Sequence, residues 1–250
     1  MQYLQIFAVG VMVVSNPASA RERSLNFALR GGVSIAPSYP GAGSYEVGPD
    51  LGLNFGALQW GRFAIGNGVD AAPKNGVSFR GAFRVLGDRT ATDDAELVGL
   101  RDIDTAIELG FGLHYQQNSW AAFGELRKGV RGHSGVTGTL GADAIFRPST
   151  RWKITAGPRV TFGDDTFAST YFGVPAATAN FAAFEAEGGA LGAGFEINAV
   201  YDLSDAWAID GALSYEKLLG DAGDSPITVL GSEDQWSLRI GLRREFTLRF

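Results

Sequence analysis

The sequence predicts an all-β protein, a transmembrane antiparallel up-and-down β-barrel. Three observations predict it: a cleavable leader at the N-terminus, long segments in which apolar and polar residues alternate, and a phenylalanine that ends the last of these segments. The composition agrees with this class, because 35 of the 250 residues are glycine and only 19% are charged. Globular proteins usually contain ~7% glycine and ~25% charged residues.

Residues 1–20 have the features of a secretory signal peptide. An apolar stretch at 4–14 precedes a small-residue cleavage pattern that contains Ala18 and ends at Ala20. The stretch is too short for a membrane-spanning helix, which needs ~20 apolar residues. We therefore expect cleavage after Ala20 and a mature barrel domain over 21–250, exported to the outer membrane of a Gram-negative cell.

The barrel prediction rests on the length and the two faces of the alternating segments. Segment 103–115, for example, places Ile107, Leu109 and Phe111 on one face and polar residues on the other. Such segments are about twice as long as the ~5–6 residues usual in soluble sheets, and a tilted strand needs ~9–11 residues to cross a bilayer. Hydrocarbon offers backbone groups no partners, so the sheet must close, with apolar side chains toward lipid and polar ones toward the lumen.

Twelve strands are predicted, and ten also fit because the division at 66–68 is weak. Single-chain bacterial barrels have even strand numbers. With both termini in the periplasm, short turns such as 57–59 and 147–150 alternate with longer outer connections such as 163–189. The predicted strands are 24–36, 46–57, 60–66, 68–72, 77–86, 103–115, 119–128, 136–146, 151–162, 190–203, 206–217 and 234–250.

Aromatic residues predict how the barrel meets its membrane. Phe246, Leu248 and Phe250 lie on one face of the last strand and resemble the C-terminal signal through which the barrel-assembly machinery receives outer-membrane proteins. Tryptophan and tyrosine residues lie near strand ends, where interfacial girdles form. The expected partners are that machinery, outer-membrane lipid and lipopolysaccharide.

Charged residues at inward positions predict ion pairs between neighbouring strands. Strands rich in arginine alternate with strands rich in carboxylates, which favours pairs across the sheet. We therefore expect ion pairs to cross the interior of the barrel and side chains to fill part of it. The predicted lumenal charge network comprises Arg80, Arg84, Asp104, Glu108, Arg159, Glu196, Asp210, Arg239 and Arg243.

Few residues suggest a catalytic or metal-binding site. A histidine and a serine stand together at His133 and Ser134, but adjacent strand residues point to opposite faces, and a loop histidine is the simpler interpretation. His114 is interpreted as a lumenal polar residue, because Glu108 lies ~20 Å away along the same strand. Without cysteine, disulfides and thiolate metal sites are excluded. No cofactor or metal is expected.

The acidic balance of the chain bears on its partners. A formal charge of −6 with no basic block argues against nucleic acid. Acidic clusters in the outer connections are interpreted as solvated loops, or as places where divalent ions bridge to lipopolysaccharide. The alanine-rich segment 175–185, with a proline at its start, predicts a short helix in a long loop. That loop either constricts the lumen, presents a partner surface or is disordered.

Several motifs make the chain resemble the MipA/OmpV family of outer-membrane proteins over nearly all of 24–246. They include Tyr171-Phe172-Gly173, Gly157-Pro158 and the segments 126–135 and 218–227. The resemblance implies an outer-membrane barrel without catalytic residues. For some relatives it also implies a scaffold that joins a lytic transglycosylase to a murein synthase.

We therefore expect a non-enzymatic envelope scaffold or interaction protein of the MipA/OmpV type, with a lytic transglycosylase and a murein synthase as its implied partners. The alternative is a narrow porin-like channel for small solutes, which the barrel size and the polar lumen favour. A hydrolase built on His133 or His114 is the least favoured class.

Overall fold

Eleven antiparallel strands form one continuous curled sheet. The computed structural model describes residues 23–60, 63–66, 75–91 and 95–250. The strands are β1 (Arg23–Pro37), β2 (Tyr45–Trp60), β3 (Phe63–Gly66), β4 (Gly76–Leu86), β5 (Ala106–Gln116), β6 (Trp120–Arg131), β7 (Val136–Ser149), β8 (Trp152–Gly163), β9 (Gly189–Asp202), β10 (Trp207–Leu218) and β11 (Asp234–Arg249).

The strand order confirms the up-and-down antiparallel arrangement. Its sequence is β3-β2-β1-β11-β10-β9-β8-β7-β6-β5-β4, so the first and last strands of the chain lie side by side. The strands at the two edges of the described sheet are β3 and β4. The sheet curls enough to bring the connections of its two halves together, because the hydroxyl of Tyr39, after β1, donates to Glu96, after β4, at 3.4 Å.

Two of the predictions fall outside the described residues. The predicted strand 68–72, which would be the twelfth, is one of them. The signal peptide 1–20, with Ala18 and Ala20 at its cleavage pattern, is the other. The structure therefore shows eleven strands of the predicted set.

The two faces of the strands confirm the predicted alternation. In β5, Leu109, Phe111 and Leu113 are 49%, 64% and 48% exposed on the outer face, whereas Glu108, which precedes Leu109, is fully buried. In β11 the outward row is Trp236, Leu238, Ile240 and Leu242. An apolar band of this extent on the outside of a monomeric sheet is typical of a surface that meets lipid or a partner.

Two predicted strand boundaries and one predicted helix are wrong. Strand β5 starts at Ala106 rather than at 103, because Ile103 leaves the sheet to bridge Arg89 and is buried in a separate core. Strand β2 runs through the predicted turn at 57–59, since a bulge after Asn26 lets its pairing with β1 continue. Residues 175–185 contain no helix; Val174 pairs with Phe184 instead and closes that segment as a loop.

The helices lie in the long connections. They are α1 (Asp165–Tyr171), α2 (Gly220–Asp224) and α3 (Pro226–Leu230), with a single 3₁₀ turn at Ala95–Leu97. In the part of the chain that the structure describes, no helix has the length and apolarity needed to cross a membrane.

Gly157 and Pro158 mark a gap in the β7–β8 ladder. The paired residues on either side are Gly141 with Arg159 and Ala144 with Ala156. Proline has no N–H to donate, and the guanidinium of Arg159 donates to the Ala142 carbonyl at 3.3 Å instead. A Cβ on Gly157 would overlap that same carbonyl. Glycine is therefore required here by the close approach of two backbones.

Gly157→Val is expected to lower the free energy of unfolding by about 2–3 kcal/mol, because no side-chain rotation relieves a clash with a backbone oxygen. Denaturant titration of the refolded protein measures this, with the heat-shift gel as a check of folding. Gly31→Val is the matched control, since a Cβ on Gly31 meets nothing within 4 Å. Equal losses in the two variants would contradict the prediction.

Candidate functional site: a capped, ion-paired interior

The long connections fold together over one end of the sheet, and we call this assembly the cap. It comprises 38–44, 87–105, 132–135, 164–188 and 219–233, of which 92–94 lie outside the described residues. Two apolar clusters hold it together. The larger side chains of the first are Leu86, Ile103, Phe167, Tyr171, Phe172, Leu191 and Leu218, and those of the second are Tyr39, Leu97, Val174, Phe181 and Ile227.

Helix α1 lies at the centre of the cap. It begins where the Asp164 carboxylate accepts a hydrogen bond from the Phe167 N–H at 2.9 Å, which satisfies one of the free donors of the first turn. Phe167, Ala168 and Tyr171 are spaced by one, three and four positions, so they share one face, and that face is buried. A seven-residue helix is too short to be stable alone, so these contacts hold it.

Arg89 fastens α1 to the connection between β4 and β5. Its guanidinium donates to the Tyr171 carbonyl at 2.6 Å and, more weakly, to that of Thr170 at 3.5 Å, at the negative end of the helix. Burial lowers the pKa of Arg89 to about 10. The side chain therefore remains charged at neutral pH and neutralises the last carbonyls of α1.

Further hydrogen bonds join the remaining connections to α1 and to one another. The Ser225 hydroxyl donates to the Phe172 carbonyl at 2.6 Å, and the Asn180 amide donates to the Glu96 carbonyl at 2.8 Å. The backbone N–H of Ser232 donates to the Gly41 carbonyl at 2.9 Å. These polar contacts link all of the long connections of the cap except 132–135. His133 joins that connection to the rest of the cap.

Beneath the cap, Glu108 is the centre of a buried cluster. Its carboxylate accepts from Arg84 at 2.6 and 2.7 Å, from Arg127 at 3.2 Å and from the Thr137 hydroxyl at 3.0 Å. The side chain has no exposed surface. Two guanidinium groups and a hydroxyl satisfy the carboxylate, which is what allows a charge to remain in such a place.

His133 completes the Glu108 cluster from the cap. Its Nδ1 accepts the Gly135 N–H at 3.1 Å, so the proton of the neutral ring lies on Nε2, which is 3.1 Å from Glu108 and donates to it. The ring packs edge-on against Phe167 and Tyr171 of α1, with centroids 5.1 and 5.6 Å away. One residue thereby connects the ion pairs of the interior to the apolar core of the cap.

Arg127 extends the Glu108 cluster toward the middle of the sheet. It donates to Glu125 at 2.9 Å and to the Thr139 hydroxyl at 2.7 Å. The other oxygen of Glu125 lies 3.2 Å from Nε2 of His114. His114 on β5 thus has its carboxylate partner on the neighbouring strand β6.

A second cluster lies on the other side of the interior. Arg30 lies 2.8 Å from one oxygen of Asp50, donates to the other at 3.0 Å, and approaches Asp210 at 3.3 Å. Arg239 donates to Asp210 at 2.7 Å and to Asn198 at 3.0 Å. Arg30 and Asp50 are almost completely buried, so this ion-paired chain fills interior space on strands β2, β1, β11, β10 and β9.

Most of the predicted lumenal residues come together, though in separate groups. Arg84 pairs with Glu108, Arg239 with Asp210, and Arg159 lies 3.5 Å from Glu196 and 2.8 Å from Asp143. Arg243 lies 3.8 Å from Asp202. Arg80 is half-buried on the inner face of β4.

Asp104 is a correction to the predicted network. It precedes β5, which begins at Ala106, and its side chain is exposed in the connection rather than turned into the lumen. The prediction extended the period-2 pattern across Ile103 and Thr105. The structure shows that Ile103 belongs to the cap core, so the alternation there is accidental.

Several members of the two clusters were not predicted from the sequence. Arg30, Asp50, Glu125 and Arg127 occupy inward positions of strands that were correctly located, so the alternation already contained the signal that would have found them. His133 had no such signal, because it lies in a connection and reaches Glu108 through tertiary structure.

The acidic residues of the outer connections have structural partners. Asp164 caps α1, Asp165 accepts from the Gly188 N–H at 2.8 Å, and Asp221 accepts from the Glu187 N–H at 2.7 Å. Across residues 23–60, 63–66, 75–91 and 95–250, no three His, Cys, Asp or Glu side chains are grouped as metal ligands would be.

A family comparison identifies the chain. The model of the family described as MltA-interacting protein MipA matches residues 29–246, which is most of the sequence. The chain belongs to the MipA family. No curated protein matches it. Together with the outward apolar band, membership of this family indicates an outer-membrane protein with a β-barrel type of sheet.

Solved structures with similar architecture include several outer-membrane proteins. An outer-membrane channel from Pseudomonas putida F1 aligns with 92% of this chain and 97% of its own, at 11% identity and a TM-score of 0.43. The outer-membrane protease OmpT from Escherichia coli aligns with 93% of this chain and 100% of its own, at 7% identity and a TM-score of 0.34.

One of the motifs on which the family resemblance rests, Tyr171-Phe172-Gly173, lies at the end of α1. Tyr171 and Phe172 are 0% and 2% exposed within the first apolar cluster of the cap. Gly173 follows them, and a Cβ at that position would meet the Ser169 carbonyl at 2.5 Å. In this MipA-family chain the motif therefore builds the cap.

Proposed function

We propose that this chain is a closed outer-membrane β-barrel of twelve strands, with the cap outside the cell and the short turns in the periplasm. The twelfth strand is the predicted segment 68–72, which lies outside the described residues. The outward apolar band, the family and the separation of long connections from short turns support this arrangement. Both termini then lie in the periplasm, because an even number of strands returns the chain to the side on which it began.

Within that barrel, the proposed role is that of a plugged, non-enzymatic anchor that presents its periplasmic turns to protein partners. One observation carries it: the connections form a packed core over the mouth, and buried ion pairs centred on Glu108 and Arg30 occupy the interior below. A barrel filled in this way is suited to holding a position in the membrane. The family description, MltA-interacting protein, supports murein enzymes as the partners.

The histidine geometry supports a non-enzymatic role. A hydrolase would need His133 to take a proton from a nucleophile such as Ser134. Both ring nitrogens of His133 are already engaged, by Glu108 and by the Gly135 N–H, and its side chain has no exposed surface. His114 faces Glu125 and stacks on Phe123 at 5.1 Å.

The plugged state predicts an electrically silent protein. The refolded chain, confirmed as folded by its heat-shifted gel band, is expected to give no stepwise openings in a planar bilayer. The variant Phe167→Ser/Tyr171→Ser, which removes the apolar face of α1, is expected to give brief openings because the cap loses its core. Stepwise openings of the unaltered protein would favour the narrow channel instead.

The anchor role is tested by crosslinking in intact cells. Photoreactive residues at Thr150 and Asp205, both exposed in short turns, are expected to capture a lytic transglycosylase or a murein synthase. The matched control is Ala183, which is exposed in the cap. If neither short-turn position captures a murein enzyme, the scaffold proposal is wrong. Capture from Ala183 alone would reverse the proposed orientation.

A further inference from the structure

The outward face of the sheet carries an unusual group of residues at the short-turn end, next to the seam between β1 and β11. The outward row of β11 continues from Leu242 through Arg244, Phe246 and Leu248. The outward row of β1 begins with Arg23. Within the described strands, these two arginines are the charged residues at outward positions of this end, and both are exposed.

Each of the two arginines lies over aromatic rings. The guanidinium carbon of Arg244 is 5.0 Å from the Trp207 ring centre and 4.9 Å from that of Phe246. The guanidinium carbon of Arg23 is 4.2 Å from the Trp60 ring centre. Phe246 in turn stacks on Phe27, with centroids 5.3 Å apart. Arg244 pairs with Leu29, which lies six residues along β1 from Arg23, so the two cations are about 20 Å apart along the seam. With the rings that lie between them they form one elongated surface, which we call the seam patch.

The outward side chains of the seam patch carry positive charge and include no carboxylate. Neither Arg23 nor Arg244 forms an ion pair with any residue that the structure describes. At the opposite end of the sheet the outward positions carry both signs, and Lys217 pairs with Glu233 at 2.8 Å. The unpaired cations are therefore a local property of the seam patch.

A cation at a lipid-facing position is stable only if it reaches the headgroup layer or an anion. Tryptophan prefers this layer as well, so the rings fix the height at which the two guanidinium groups lie. The planar guanidinium matches the geometry of a phosphate and binds it through two hydrogen bonds. The ring faces hold each arginine from below and leave its N–H edges free for such a ligand.

We propose that each arginine of the seam patch binds the headgroup phosphate of an anionic phospholipid from the leaflet around the short turns. This inference rests on the proposed function, because it requires a barrel inserted in a bilayer. Anionic headgroups are favoured over zwitterionic ones, since the outward side chains of the patch supply two cations and no carboxylate. The lipid chains would lie along the apolar rows of β1 and β11.

The test measures lipid selectivity of the refolded full chain by native mass spectrometry. The protein is exposed to equal amounts of phosphatidylglycerol and phosphatidylcholine, and the retained lipid is counted after detergent exchange. We expect phosphatidylglycerol to be preferred, and Arg23→Gln/Arg244→Gln to reduce that preference about thirtyfold, given the usual attraction of two basic residues near a membrane surface. Arg244→Lys should retain part of it.

The matched control is Lys128→Gln/Lys217→Gln, which removes two outward positive charges at the opposite end. It is expected to leave the preference unchanged. An equal loss in this control, or no preference in the unaltered protein, would overturn the proposal. Displacement of the lipid by inorganic phosphate would assign the patch to a free anion instead of a lipid. Failure to insert, seen on the heat-shift gel, would count against the barrel and not against the seam patch.

Discussion

Replacement of Glu108 by glutamine is expected to be among the most damaging single changes in this protein. The side chain keeps its size but loses its charge, so Arg84 and Arg127 remain in the interior without their carboxylate. Removing one partner of a buried ion pair usually costs about 3–5 kcal/mol. The free energy of unfolding, from denaturant titration of the refolded barrel, should fall by that amount.

The carboxamide adds a second difficulty for this variant. Its NH₂ group would face donors on two sides, since Arg84, Arg127, His133 and Thr137 all donate to Glu108 in the native protein. Glu185→Gln is the control, because Glu185 is exposed in the cap. A loss below about 1 kcal/mol, the size seen for exposed ion pairs, would show that the cluster does not stabilise the fold.

Phe172→Ala is expected to open the cap. The ring is 2% exposed in a cluster that joins three connections. Removal of a buried phenylalanine ring costs about 3–5 kcal/mol, which combines lost transfer from water with the cavity left behind. Because the cap is held by its own core, we expect it to loosen before the strands separate. Proteolysis within 164–188 should therefore accelerate together with the fall in stability.

Phe79→Ala provides the comparison for Phe172→Ala. Phe79 is 58% exposed on the outward face of β4. Acyl chains or detergent can close around the smaller side chain, so this variant loses the transfer contribution without leaving a cavity. It should be less destabilised than Phe172→Ala and should show no change in cleavage of the cap. Similar cleavage in both variants would contradict a specific role for the Phe172 ring.

Both predictions concern the contacts of His133, which join the cap to the interior. His133 donates to Glu108 below and packs against Phe167 and Tyr171 above. Loss of Glu108 should therefore also loosen the cap, and the two variants combined should cost less than the sum of their separate effects. Such coupling would show that cap and interior unfold as one unit.

The strands and their faces could be predicted from the sequence because they depend on a local rule. Side chains alternate along a strand, so Leu109 and Phe111 were assigned outward, and Arg84 and Glu108 inward, from their positions alone. The pairing of Arg84 with Glu108 followed, since neighbouring strands in an up-and-down sheet are consecutive. The rule failed at Asp104, where the chain had already left the sheet.

The contacts within the cap, and those that join the cap to the interior, do not follow such a local rule. The contact between His133 and Glu108 spans 25 positions, and the one between Arg30 and Asp210 spans 180. The sequence by itself determined an alternating, antiparallel sheet of the membrane type, because the period of the apolar pattern and the length of the strand are local properties of each segment. Only the tertiary structure decided which connections cover the mouth and which charges meet, because those contacts exist only after the sheet has curled.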